Sequence, residues 1–176
     1  MKKKVCLFLA LLFVLSSCAA AGSRPEDVGS VMLPLNRYEM KGSVEVKGRQ
    51  GVCSEGDFYW VSGSATLAKY DRDWNLISLN EDPFVGYTLE VNHIADIDVY
   101  NNELYIGAEY FIDGIGTNIQ IAVYDGDTLT LKRTFPFNAE SGQLECSGIA
   151  VDPDTKTVLM CSWVGEESGR SFVKFL

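Results

Sequence analysis

The sequence predicts an all-β fold built from repeated four-stranded antiparallel units, with no substantial helix after the first residues. Three observations carry this. Short runs rich in β-branched and aromatic residues recur along the chain, clusters of Gly, Asp and Asn punctuate them, and no amphipathic helical period is sustained. The expected strands are 43–47, 50–54, 57–62, 66–71, 75–79, 94–100, 103–110, 119–125, 128–135, 146–151, 156–163 and 171–175.

The N-terminus comes first. Lys2, Lys3 and Lys4 precede an uncharged apolar run from Val5 to Leu15. Such a run is too short to span a bilayer, which takes about 20 apolar residues, and it has the length of a signal-peptide core. It ends in Leu15-Ser16-Ser17-Cys18. Residues 1 to 22 resemble the signal segment and lipobox of bacterial lipoproteins. The resemblance implies cleavage before Cys18, diacylglycerol on its thiol and fatty acyl groups such as palmitate. It implies a protein of the cell envelope, lipid-anchored to a bacterial membrane and facing outside the cytoplasm; several acyl chains anchor stably where one does so marginally. An ordinary cleaved signal peptide with an incidental cysteine is the alternative. Residues 1–17 are therefore expected to be the signal peptide, 18–32 the lipidated cysteine and a flexible tether, and 33–176 the folded part. Segment 33–47 is available as one extra outer strand.

The strands after residue 50 repeat. Phe58-Tyr59-Trp60-Val61-Ser62 matches Glu103-Leu104-Tyr105-Ile106-Gly107 at a spacing of 45, and Thr157-Val158-Leu159-Met160-Cys161 follows 54 further on. Leu67-Ala68-Lys69-Tyr70-Asp71 matches Ile121-Ala122-Val123-Tyr124-Asp125, also at 54. Each Tyr-Asp pair leads into a tight turn and a further strand. Four strands per period of this length are the signature of propeller blades. The blades fall at about 50–80, 93–135 and 145–176, which makes a partial β-propeller of about two and a half to three blades.

The runs LAKYDRDWNLIS, HIADIDVYNNELYIG, IAVYDGDTLTLKRTF and SGIAVDPDTKTVLMCSW resemble blades of secreted bacterial β-propellers of the NHL-type, gluconolactonase-like and quinoprotein amine dehydrogenase-like groups. The resemblance covers residues 50 to 176. It implies an extracytoplasmic propeller with any ligand site at the mouth of its channel. Closed propellers have about 4 to 8 blades, so the count invites three explanations: a truncated gene product or fragment, a ring of several copies, or closure as a sandwich or barrel. Open edges invite self-association.

Loss of the signal peptide leaves 12 basic against 24 acidic residues, a net charge of −12. Such a protein repels phosphate backbones, which excludes nucleic acid as a natural partner. Cys53, Cys146 and Cys161 remain beyond the lipobox. A two-residue loop at Pro153-Asp154 would set Cys146 opposite Cys161 and permit a disulfide, whereas a longer loop would separate them. The alternative is three small buried thiols.

In a propeller the starts of the first strands share a face with the loops between second and third strands. That face would collect Gln50, His93, Asp96 and Glu145, joined by Glu109, Tyr110, Asp113, Glu166 and Glu167. Carboxylates around one imidazole suit a polar ligand or a divalent cation such as calcium, with His93 and Asp96 the candidate metal ligands. Against this, a lone histidine serves a structural role as readily. Asp96 and Asp98, two apart on a strand, either line the channel or hydrogen-bond the backbone of the next blade. Asp71-Arg72-Asp73-Trp74-Asn75 has the spacing of early calcium-loop ligands but lacks the later glycine and glutamate, so turn chemistry explains it better. Trp60, Trp74 and Trp163 offer either an aromatic platform or packing between blades. No nucleophile elbow, phosphate-binding glycine loop or paired-cysteine zinc motif occurs.

These features predict a membrane-tethered binding or scaffold protein, with no cofactor required, whose partners are an envelope protein or a small polar ligand. Two alternatives stand beside it: a cation-dependent propeller hydrolase or lyase using His93 as acid or base, and a remnant without activity.

Overall fold

The structure is a computed structural model that describes residues 39–136, 144–164 and 169–175, from residue 163 onward by the backbone alone. The expected signal segment, Cys18, the expected tether, Glu166 and Glu167 lie outside the described residues, as does the Trp163 side chain. The chain divides into two compact units, Met1–Lys41 and Gly42–Leu176, and every strand belongs to the second.

Eleven strands form among the described residues, with no helix. The first sheet is β1 (Gly51–Glu55), β2 (Phe58–Gly63), β3 (Thr66–Asp71) and β4 (Leu76–Asn80) in that order. The second repeats the order with β5 (His93–Tyr100), β6 (Glu103–Ile112), β7 (Ile115–Asp125) and β8 (Leu131–Pro136). The third holds β9 (Gly148–Asp152), β10 (Thr157–Val164) and β11 (Gly169–Phe175). All pairings are antiparallel between consecutive strands, which is the meander of a propeller blade. The first strands of the three sheets lie together, β5 packing on both β1 and β9.

Local sequence sets the turns. Asn101-Asn102 and Asp113-Gly114 take positive φ at both positions and close two-residue hairpins of the twist-matching kind. The expected Tyr-Asp equivalence holds in register: Phe58 pairs Asp71 as Glu103 pairs Asp125. In each case the aspartate carboxylate turns the chain. Asp71 Oδ1 accepts from the Asp73 and Asn75 backbone N–H groups, and Asp125 Oδ1 from those of Asp127 and Thr128. The preceding tyrosines are both buried, and each hydroxyl meets the segment that leads into its own sheet. The Lys47 N–H donates to Tyr70, and Tyr124 donates to the Pro83 carbonyl.

The apolar residues face the gaps between sheets. Trp60 and Leu67 of the first sheet meet Leu104, Ile106, Tyr124 and Leu129 of the second. Ile119 and Ile121 on the second meet Cys146, Ile149 and Met160 of the third. Trp60 therefore packs between sheets, its Nε1 donating to the Gly126 carbonyl at 2.8 Å. Trp74 instead stacks on Tyr59 with centroids 4.3 Å apart.

Two expectations are corrected. Residues 43–47 form no strand; Val44 is exposed while Val46 packs on the Val61, Ala68 and Tyr70 cluster, so the segment covers a face rather than pairing with an edge. Cys146 and Cys161 are free thiols. The β9–β10 connection takes the longer form, with Asp152 pairing Thr157, so Cys161 lies opposite Gly148 rather than Cys146.

Candidate functional site

The mouth residues gather where β5 begins. A bulge in β5 between Ile94 and Ile97 leaves His93 paired with Glu109 on β6, so the two side chains stand together. His93 Nδ1 lies 3.0 Å from Glu109 Oε1. Its Nε2 lies 3.1 Å from Gln50 Nε2, which also donates to Ser64 Oγ at 2.9 Å. A carboxylate on one side and an amide NH2 on the other fix the imidazole as the neutral Nδ1–H tautomer, an assignment made from its partners. Glu109 is 1% exposed, and its second oxygen accepts the Cys146 N–H at 3.0 Å. Burial pushes its carboxyl above the ordinary range, against the opposing pull of the Cys146 N–H and of His93.

The result is a polar chain across three sheets: Ser64 and Gln50 from the first, His93 and Glu109 from the second, and the Cys146 backbone before the third. Phe111 covers the imidazole with centroids 5.4 Å apart. Gly116 is required beside Glu109, because a Cβ there would stand 2.3 Å from Glu109 Oε2 and 2.8 Å from the Leu144 carbonyl oxygen.

The other expected residues are placed differently. Asp96 Oδ2 accepts the Ile149 N–H at 3.3 Å, and Asp98 Oδ2 accepts the Val151 N–H at 2.7 Å. Two residues apart on β5, they cap the outward N–H groups of the inner edge strand β9. Glu145 accepts from Ser147 Oγ at 2.6 Å. Tyr110 is half-buried on the β6–β7 hairpin and its carbonyl accepts from Thr117 Oγ1. Asp113 is exposed at the tip of that hairpin, four residues past Glu109. Among the described residues no group of three or more His, Cys, Asp or Glu side chains is arranged to hold a metal ion. The mouth thus unites Gln50, His93 and Glu109 and leaves Tyr110 and Asp113 up the hairpin. Ser64 is the member that sequence reasoning missed. Its place in the loop between second and third strands was the available signal, but a two-residue Ser64-Ala65 connection carries no chemical mark.

No protein-family model matches the chain, and no curated protein sequence matches it. Solved structures do. Kuenenia stuttgartiensis hydrazine synthase superposes with a TM-score of 0.51 at 14% identity, over 70% of this chain and 32% of that one. Myxococcus xanthus glutaminyl cyclase superposes with a TM-score of 0.50 at 20% identity, over 74% of this chain and 55% of that one. The chain therefore spans about a third to a half of the length of these neighbours. Both are β-rich and propeller-like, and at such identities the likeness concerns the fold alone. The chain has a propeller-like, all-β fold of antiparallel blades.

Proposed function

We propose that this protein is a lipid-tethered, extracytoplasmic binding module that takes a small polar ligand at the mouth, without catalysing a reaction. The observation that carries the reading is the engagement of the mouth's chemistry. Both ring nitrogens of His93 and both oxygens of Glu109 have partners inside the protein, and Asp96 and Asp98 hold the backbone of β9. A general base needs a nitrogen facing substrate. What faces outward instead is a pair of exposed hydrogen-bonding groups, Gln50 and Ser64, held in place from behind. A pre-positioned polar surface of that kind suits binding.

Thermal-shift measurements on the protein, against panels of neutral sugars, amino acids and amines, test the reading. A rise in Tm with at least one polar compound is expected, reduced in Gln50→Ala and absent with calcium alone. A hydrolase or lyase activity that disappears in His93→Ala, while the circular dichroism spectrum is unchanged, would overturn it in favour of an enzyme.

A further inference from the structure

The mouth residues form one hydrogen-bonded row whose two ends differ. Glu109 Oε1 stands 3.0 Å from His93 Nδ1, His93 Nε2 stands 3.1 Å from Gln50 Nε2, and Gln50 Nε2 donates to Ser64 Oγ at 2.9 Å. The inner end is a buried carboxyl and the outer end an exposed hydroxyl. In such a row each group must donate where its neighbour accepts, so the sense of one contact sets the sense of the others. The backbone around the row is pinned. The Gln50 N–H donates to the Ser62 carbonyl at 2.9 Å, and the Ile94 N–H, next to His93, donates to the Ser64 carbonyl at 2.8 Å. Phe111 lies against the imidazole and is itself held by Asn92, whose Nδ2 donates to the Phe111 carbonyl at 3.0 Å and whose Oδ1 accepts the Phe111 N–H at 2.7 Å. The second oxygen of Glu109 is committed to the Cys146 N–H. The primary amide of Gln50 is the joint that can turn, because exchanging its oxygen and nitrogen moves no ring and no strand.

With Glu109 ionised, its carboxylate accepts from Nδ1–H and Nε2 accepts from the amide. Both amide hydrogens then point along the row, which leaves the Gln50 oxygen and the Ser64 hydroxyl hydrogen for a ligand. One proton added to the pair reverses this. It rests either on the ring, as imidazolium, or on the carboxyl. In the second case the carboxyl donates to Nδ1, which gives up its hydrogen to water while Nε2 takes one. Both outcomes put hydrogen on Nε2, which then requires an acceptor. The titratable groups facing Glu109 are His93 on β5 and, before β9, Glu145 and the Cys146 thiol; the β7 residue beside it is Gly116. Burial first, and Glu109 second, pushes that thiol upward, so it stays neutral. The neighbours of His93 on its other sides, Gln50 and Phe111, carry no charge. Burial, assisted by Glu145, holds the Glu109 carboxyl above its ordinary range. The pair therefore takes up its proton at a less acidic pH than a free carboxylate does.

We propose that uptake of one proton from solvent by the His93–Glu109 pair turns the Gln50 amide over and inverts the hydrogen-bonding pattern that the mouth presents. Before uptake the mouth offers an amide oxygen and a hydroxyl hydrogen, above a pair that carries one negative charge. That form suits a ligand group rich in donors, such as a primary ammonium. After uptake, Nε2–H and the Ser64 hydroxyl both donate to the amide oxygen, and the pair has lost its net charge. The NH2 then faces outward, toward an acceptor such as a carboxylate. The choice of ligand rests on the mouth being a binding site; the inversion itself does not.

His93 is the single histidine of the chain, so heteronuclear NMR of the isotope-labelled full chain reads its two ring nitrogens without ambiguity. Nε2 should be unprotonated at the alkaline end of a pH titration and protonated at the acidic end. Cross-relaxation between the Gln50 NH2 and the His93 ring should be lost in the same step. In Glu109→Gln the new amide turns its oxygen to the Cys146 N–H and its NH2 to Nδ1, so Nε2 should stay protonated throughout. If that variant fails to fold, as judged by circular dichroism, Gln50→Glu at the exposed end decides. A carboxylate there accepts only, so Nε2 should remain protonated to a higher pH than in the wild type. The proposal is overturned by an Nε2 that keeps one state wherever the circular dichroism is native, or by a Gln50 NH2 contact that survives the change at Nε2. It is equally overturned by a folded variant that follows the wild-type titration. No ligand is added, so a failure here leaves the binding reading standing, and a failure to find any ligand leaves the inversion standing.

Discussion

Glu109 is the residue on which the most depends. Its carboxyl is buried between sheets, joined to His93 on one side and to the Cys146 N–H on the other. Glu145 is the other acid acting on it, and it opposes ionisation as burial does. A carboxyl held above its ordinary range binds its proton more tightly when the chain is folded. Its contribution is therefore complete below the unfolded value and is lost as pH rises through the folded one. Glu109→Gln removes that titration. Denaturant melts across the acidic and neutral range should show the wild-type advantage over Glu109→Gln shrinking as pH rises; a constant difference would show that the carboxyl does not titrate differently on folding. The pairing of His93 with Glu109 was hard to see in the sequence. Counting along ideal strands places the two residues on one face of a sheet end, but the bulge at Ala95 and Asp96 decides their register. A bulge depends on tertiary fit as much as on local propensity.

At the scale of elements, close approach between neighbouring sheets decides where small residues must stand. Gly107 on β6 faces Cys146 before β9, and a Cβ at Gly107 would lie 2.0 Å from the cysteine sulfur and 3.1 Å from its Cβ. Gly107→Ala should therefore destabilise the protein by about 1–3 kcal/mol, the usual cost of overpacking. Urea unfolding of the single variant and of Gly107→Ala with Cys146→Ala measures it; the second change should recover part of the loss. A Gly107→Ala variant as stable as the wild type would mean that the second and third sheets are not packed this closely. The strands themselves were legible. Alternation and turn residues locate β3 as drawn and most others to within two residues, because both signals are local. The two that moved most were β7, which begins earlier than expected, and β8, which begins later. Asp113-Gly114 extends the hairpin outward for β7, and the aspartate-closed turn from Asp125 to Thr128 delays β8.

For the whole molecule, the proposed lipid tether makes its own prediction. Cys18→Ala should abolish incorporation of radiolabelled palmitate and move the protein from the membrane fraction to the soluble one. Retention of label, or of membrane association, would remove the tether from the account. The acidic balance of residues 18–176 means that surface charge alone would not hold the protein at an anionic membrane.

The sequence by itself determined the all-β class, the four-strand repeat and the equivalence of Tyr70 with Tyr124, since these follow from periodicity and turn chemistry over neighbouring residues. Only the tertiary structure decided that Asp96 and Asp98 cap β9 and that the length of the β9–β10 turn keeps Cys146 and Cys161 apart. The first outcome rests on contacts between residues 53 positions apart, the second on a hairpin register within one sheet. No local pattern records the first, because it is set by how one sheet settles against the next, and a shift of the turn by two residues is enough to change the second.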